Sequence, residues 1–157
     1  MKLGTVTNFD EDATVRFERD LPASAARVWK TLTDPTDLAG WLAPGSIDPV
    51  VGAEVQLDFG PDQLVVGVVT DCEIGTVLEY TWSFTGEPDS LLRYELSSDA
   101  ATSTLTLVHS TLPPEQAVGY GAGWHAHLDM LEAHLVGNDP IDWEERFSQL
   151  FPLYAGA

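Results

Sequence analysis

GYGAGWHAHLDMLEAHL, Gly119 to Leu135, holds three of the chain's four histidines, two of them separated by a single alanine. On a strand, His125 and His127 would share a face and suit a metal ion. On a helix, at about 100° per residue, they point about 200° apart. The apolar residues decide the question. With Trp124 taken as zero, Tyr120, Leu128, Leu131 and Leu135 fall within about 40° of it, so the stretch is a helix with one apolar stripe. His127 and His134 sit about 60 to 80° to one side. His125 joins Asp129 and Glu132 on the opposite flank, where it is expected to face solvent.

His127 and His134 are two turns and roughly 10 Å apart along the axis, too far to hold one ion together. No HExxH, cysteine pair or carboxylate triad accompanies them, so no metal is expected here. Pro113-Pro114 opens the segment and Gly137-Asn138 stops it. Gly119 and Gly123 each cost a helix about 1 kcal/mol relative to alanine, which asks for compensation. Tight packing against the sheet or the first helices would supply it, with a ligand entrance or a dimer contact as the alternatives.

A helix this apolar needs a partner, and the preceding sequence supplies strands. In ATVRFER, residues 13–19, Val15 and Phe17 alternate with polar residues. PASAARVWKTLTD predicts a helix with Pro22 at its first position, and Asp34-Pro35 restarts the chain as a second short helix ending near Gly40. The period then changes to two. Val55, Leu57 and Phe59 alternate with polar residues, and LVVGVVTD follows across a Gly-Pro-Asp turn, predicting a hairpin. VLEYTWSF, residues 77–84, places Leu78, Tyr80, Trp82 and Phe84 on one side, LLRYEL does the same for Leu92, Tyr94 and Leu96, and STLTLVH for Leu105, Leu107 and His109. By the same alternation Arg93 faces out.

The order is therefore strand, two short helices, about five antiparallel strands and a long helix, an α+β pattern rather than α/β. A curved antiparallel sheet buries its concave face only if something fills it, and the terminal helix is the element long enough. Beyond it, PIDWEERFSQLFPLYAGA spaces Trp143, Phe147, Leu150 and Phe151 at helical intervals, predicting a short amphipathic helix over about 141–150. That helix either folds back on its own chain or docks on a second copy, so a homodimer stays open.

Composition narrows the partners. At 157 residues one domain is expected, with a core over 13–137 and an amphipathic tail over 138–157. The 25 acidic residues against 7 basic ones give a formal charge of -18, which repels nucleic acid and anionic membrane surfaces. The longest apolar runs, such as Leu64 to Val69, are far short of a membrane span, so no membrane insertion is expected. Cys72 is alone and the N-terminus lacks the apolar run of a signal peptide, which fits a reducing cytoplasm.

Four blocks in this order, ARVWKTLTDPTDLAGWLAP, GTVLEYTW, LTLVHSTLP and GWHAHLDMLEAHL, resemble the SRPBCC superfamily, and within it the bacterial proteins similar to the activator of heat-shock-protein ATPase. The resemblance runs from about Val15 to Gly137. It implies a helix-grip fold like that of START lipid-transfer domains and birch pollen allergen, with a cavity between curved sheet and last helix that in many members holds an apolar or amphipathic small molecule. Other members resemble polyketide cyclases. The eukaryotic namesake acts on a chaperone through an additional N-terminal domain, which is not expected within these 157 residues.

The residues expected to line such a cavity are Trp41 from the second helix, Phe59, Tyr80, Trp82, Tyr94, Leu107 and His109 from the strands, and Tyr120, Trp124, His127 and Leu131 from the long helix. Large rings with sparse polar handles suit both a core and a small-molecule pocket. His109, facing inward, is either a strand-end histidine bonded to its surroundings or a general base. No Gly-rich phosphate loop or nucleophile elbow is present, and no cofactor is expected. The leading expectation is a small-molecule-binding domain without assured catalysis. Behind it stand a cyclase- or hydratase-like enzyme using His109, and a chaperone-activator-like interaction module.

Overall fold

The computed structural model describes residues 1–156. Strands β1 (Thr5–Asn8) and β2 (Ala13–Leu21) lead into helices α1 (Ala25–Thr33) and α2 (Pro35–Trp41). The chain then runs through β3 (Gly45–Ile47), β4 (Glu54–Asp58), β5 (Leu64–Glu73), β6 (Val77–Phe84), β7 (Ser90–Asp99) and β8 (Thr102–Leu112). A 3-10 turn at Pro114–Gln116 leads into α3 (Ala117–Val136), and α4 (Trp143–Ala155) closes the chain. All eight strands form one curved antiparallel sheet in the order β1-β2-β8-β7-β6-β5-β4-β3, with α3 laid across its concave face. This is the helix-grip arrangement. No helix among the described residues is long and apolar enough to cross a membrane.

The alternating strands carry the core. Val15, Phe17, Leu78, Tyr80, Trp82, Leu92, Tyr94, Leu105, Leu107 and His109 are all buried on the concave side, as their period-two spacing requires. Irregular pairing between Ala13 and Val15 and between Val69 and Asp71 breaks the ladder, and such breaks let a sheet bend around a helix. Outward-pointing Leu64, Val66 and Val68 of β5 stay exposed.

The helices start where local chemistry satisfies their free N–H groups. Pro22 lies outside α1, which begins instead after Ser24, whose Oγ accepts from the Arg27 N–H at 3.2 Å. Asp34 ends α1 and caps α2, accepting from the N–H groups of Thr36 at 2.9 Å and Asp37 at 3.3 Å. Gly137 terminates α3 at φ +71°, a left-handed conformation that glycine adopts without strain.

Asp37 fastens the short helices to the long one. It accepts from Lys30 Nζ at 2.6 Å, Arg27 Nη1 at 3.2 Å and His134 Nε2 at 2.7 Å. Burial alone would raise its carboxyl pKa. The hydrogen bonds from His134, Lys30 and Arg27 outweigh that and hold it well below the usual carboxylate range. Gly40 faces the same place, where an added Cβ would lie 2.7 Å from the His134 ring.

Three expectations change. Edge strands β1 and β3 were not foreseen, because a four-residue polar strand and a three-residue strand are too short to show a period. The tail helix runs to Ala155, through Pro152, and folds back on α3 with Leu150 and Tyr154 buried. That packing also overturns the placement of His125, which is 1 % exposed. Tyr154 covers it, its hydroxyl 2.7 Å from His125 Nδ1, and the same hydroxyl accepts from the Gly4 N–H at 2.9 Å. The back of α3 is a second interface rather than a solvated face. Burial pushes the His125 pKa down to about 4, against the opposing pull of Asp129.

Candidate functional site

A cavity of about 520 Å³ opens between the β4–β6 region of the sheet, the N-terminal half of α3 and the first turns of α4. Its aromatic wall is continuous. Ring centroids lie 5.9 Å apart for Phe59 and Trp82, 5.5 Å for Trp82 and Trp124, and 5.9 Å for Trp124 and His127. The wall then passes to α4, where Trp143 lies 5.4 Å from His127 and stacks on Phe147 at 4.9 Å.

Five of the expected residues, Phe59, Trp82, Tyr120, Trp124 and His127, line this cavity. The other six do not. Trp41 is fully buried and donates its indole N–H to the Thr31 carbonyl at 2.7 Å. Tyr80, Tyr94, Leu107, His109 and Leu131 lie in the closed core, where Tyr80 stacks behind Trp82 and Tyr94 meets Trp124 edge-on. The hydroxyls of Tyr80 and Tyr94 are close enough to influence each other's ionisation, yet neither reaches hydrogen-bond geometry with any partner.

Trp143 and Phe147 form the wall that sequence reasoning did not assign to the cavity. Their helical spacing was evident, but spacing alone does not say what a helix covers. Gly123 explains how α4 fits. An added Cβ there would sit 3.5 Å from the Trp143 ring, and the Trp143 N–H points to the Gly123 carbonyl at 3.3 Å. The compensation for that glycine is α4, not the sheet or the first helices. Gly119, one turn earlier, meets nothing within 4 Å and opens onto the cavity.

The polar groups form two chains. Trp82 Nε1 donates to Tyr120 Oη at 3.0 Å, and Tyr120 donates onward to Glu87 Oε1 at 2.6 Å. Burial pushes the Tyr120 pKa up and the adjacent Glu87 carboxylate adds to the effect, so the phenol stays protonated and the donation is fixed. Trp124 Nε1 donates to His109 Nδ1 at 2.9 Å. An indole N–H only donates, so Nδ1 carries the lone pair and Nε2 carries the proton, pointing at Ser90 Oγ 2.7 Å away. Ser90 in turn reaches the Trp82 carbonyl at 3.4 Å.

His109 therefore has both nitrogens engaged and no surface in contact with solvent. Burial pushes its pKa down to about 3. His127 is the mirror case. Its Nδ1–H donates to the Trp41 carbonyl at 3.0 Å, leaving Nε2 as an acceptor, and burial pushes its pKa down to about 4. Among the described residues no three His, Cys, Asp or Glu side chains converge as a metal site requires.

The model of the family described as "Activator of Hsp90 ATPase homolog 1-like protein" matches residues 22–136. No curated protein matches by sequence. Among solved structures, CalU16 from Micromonospora echinospora superimposes with a TM-score of 0.79 at 22% identity, over 98% of this chain and 94% of that one. A protein from Bordetella parapertussis, solved by NMR, gives 0.76 at 30% identity over 99% and 92%. DynU16, a protein of the dynemicin biosynthetic locus, gives 0.72 at 29% identity, covering 81% of this chain and 48% of its own.

Proposed function

The chain belongs to the activator of Hsp90 ATPase homolog 1-like family, within the SRPBCC superfamily, and from that premise we propose that it binds one small apolar or amphipathic molecule without transforming it. The observation that carries this reading is the open aromatic cavity between the sheet, α3 and α4. Its volume of about 520 Å³ lies within the roughly 300–1,000 Å³ of ordinary small-molecule sites. Rings with a few placed polar groups are the lining such sites use. The place of DynU16 in a biosynthetic locus supports a role beside small-molecule chemistry. The engagement of both His109 nitrogens supports binding rather than proton transfer. The lone Cys72 supports a reducing, cytoplasmic setting.

Titration with the neutral fluorophore N-phenyl-1-naphthylamine tests the reading. One molecule should bind per chain, brightening as it leaves water and quenching tryptophan emission. Gly119→Phe puts a ring into the cavity where no atom now stands within 4 Å of the would-be Cβ, and should abolish binding while circular dichroism stays unchanged. Equal binding by the folded variant and the wild type would overturn the proposal.

A further inference from the structure

The lining is chemically one-sided. Each tryptophan at the cavity spends its only donor on the protein itself: Trp82 on Tyr120, Trp124 on His109 and Trp143 on the Gly123 carbonyl. Tyr120 spends its hydroxyl proton on Glu87. What the side chains leave free is almost entirely acceptor: the carboxylates of Asp58, Glu87 and Glu144, and His127 Nε2. Among the described residues, the amides of Gln63 and Gln116 are the side-chain donors left at the cavity.

No lysine or arginine lines the cavity. Arg16, Arg19, Arg27, Lys30, Arg93 and Arg146 are each paired with carboxylates elsewhere among the described residues. None of the ion pairs of the structure involves Asp58, Glu87 or Glu144 among the described residues. Half-buried Glu87 and, at the exposed mouth, Glu144 and Asp58, whose Oδ1 also accepts from the Gly60 N–H at 2.9 Å, thus border the aromatic wall with no counter-cation among the described residues. Aromatic faces attract cations through their quadrupole, and a nearby carboxylate adds a charge-assisted hydrogen bond.

We propose that the cavity selects a planar aromatic amine, a cationic or donor-rich ring system, and rejects carboxylate- and phosphate-bearing amphiphiles. This rests on the small-molecule reading above and narrows its ligand class. The rings would lie against the wall that Phe59, Trp82, Trp124 and Trp143 form, with the ammonium or N–H group turned to Glu87 and His127. An anionic ligand would bring its charge beside these carboxylates with only the Gln63 and Gln116 amides to donate to it, which costs several-fold in affinity even in a partly hydrated site.

Three probes sharing one ring system test this: 9-(aminomethyl)anthracene, 9-anthracenemethanol and 9-anthracenecarboxylate, titrated by tryptophan quenching at physiological salt. The amine should bind about tenfold tighter than the alcohol, and the carboxylate at least tenfold weaker than the alcohol, given roughly two- to fivefold per partly exposed charge pair. The chain's overall charge attracts any cation, so a matched pair of variants separates site from field. Asp58→Asn with Glu87→Gln and Glu144→Gln should bring the amine to the level of the alcohol. Asp48→Asn with Glu73→Gln and Asp99→Asn, the same charge change at the opposite end of the sheet, should move it less than twofold. Equal binding of all three probes, or an equal loss in both triple variants, overturns the donor-selective site but leaves the small-molecule reading standing. Failure of every probe, the neutral one included, overturns both.

Discussion

His109 makes stability depend on pH in a way that one substitution isolates. Its ordinary pKa is about 6.5, which applies to the unfolded chain. In the fold, burial pushes it down to about 3. The folded-state value is the lower one, so between those limits the unfolded chain binds a proton that the folded chain refuses. The contribution is complete above about pH 6.5 and is lost as pH falls towards the folded value, at about 1.36 kcal/mol per unit. From pH 7 to pH 5 it amounts to about 2 kcal/mol, or about 1 M in urea midpoint at an m-value near 2 kcal/mol/M. Other titrating groups act in the same interval, among them His125 and His127, so the absolute curve is a composite. The comparison with His109→Gln removes them, because they contribute equally to both proteins. Glutamine keeps an acceptor for Trp124 and a donor for Ser90 but cannot titrate. Urea unfolding at pH 7, 6 and 5 should show the wild type losing about 2 kcal/mol more than the variant over this range. A difference between the two proteins that stays constant with pH would refute both the neutral state of His109 and the hydrogen-bond assignment built on it.

Leu150→Ala, at a fully buried position of α4, should cost about 2–5 kcal/mol and lower Tm by several degrees without changing the mass read by light scattering; an unchanged Tm would mean that α4 is not docked on α3 in solution. Gly119→Ala adds a methyl to open space on a helix and should stabilise by about 1 kcal/mol, whereas Gly67→Ala drives a Cβ into the Thr81 carbonyl oxygen and should severely destabilise β5. A matched effect of the two in thermal melts would contradict the packing at both sites. Tyr94→Phe deletes a buried hydroxyl that has no partner, so it should leave stability unchanged or raise it by up to about 1 kcal/mol; a loss of 2 kcal/mol would show a hydrogen bond there.

The sheet and the gripped helix were legible because VLEYTWSF, STLTLVH and the Trp124-centred stripe repeat large apolar residues at the period of their element. β1 was not, because TVTN pairs at an edge and buries little. His125 was misplaced because its angular position was judged against one buried face. The signal that α3 has two was present in the sequence, as there is no charged residue between Ala117 and Leu128 and an amphipathic tail follows. The candidate site divides along the same limit. Periodicity tells which face of a strand a ring occupies but not how far along the groove it sits, so Tyr80 and Trp82, two residues apart on one face, looked equivalent. In the fold the first is sealed in the core and the second lines the cavity. Depth depends on where α3 and α4 stop, and that is a property of packing.

The same packing explains why a cavity lined by large rings stays open. Burying apolar surface favours collapse, and Trp82, Trp124 and Trp143 have area enough to close the space. Each ring is instead held by a hydrogen bond that collapse would break: to Tyr120, to His109 and to the Gly123 carbonyl. Losing a buried donor's partner costs about 1–3 kcal/mol, comparable with the gain from burying one more apolar side chain. On the proposed reading, rings fixed this way would add little ordering cost to binding, which would favour a flat ligand laid against them over a flexible one that must be immobilised. One of the three anchors, Trp143, lies outside the family match at 22–136, on a helix whose docking surface is provided by Gly121 and Gly123. If the cavity is the binding site, substitutions along α4 should change ligand choice without disturbing the gripped core.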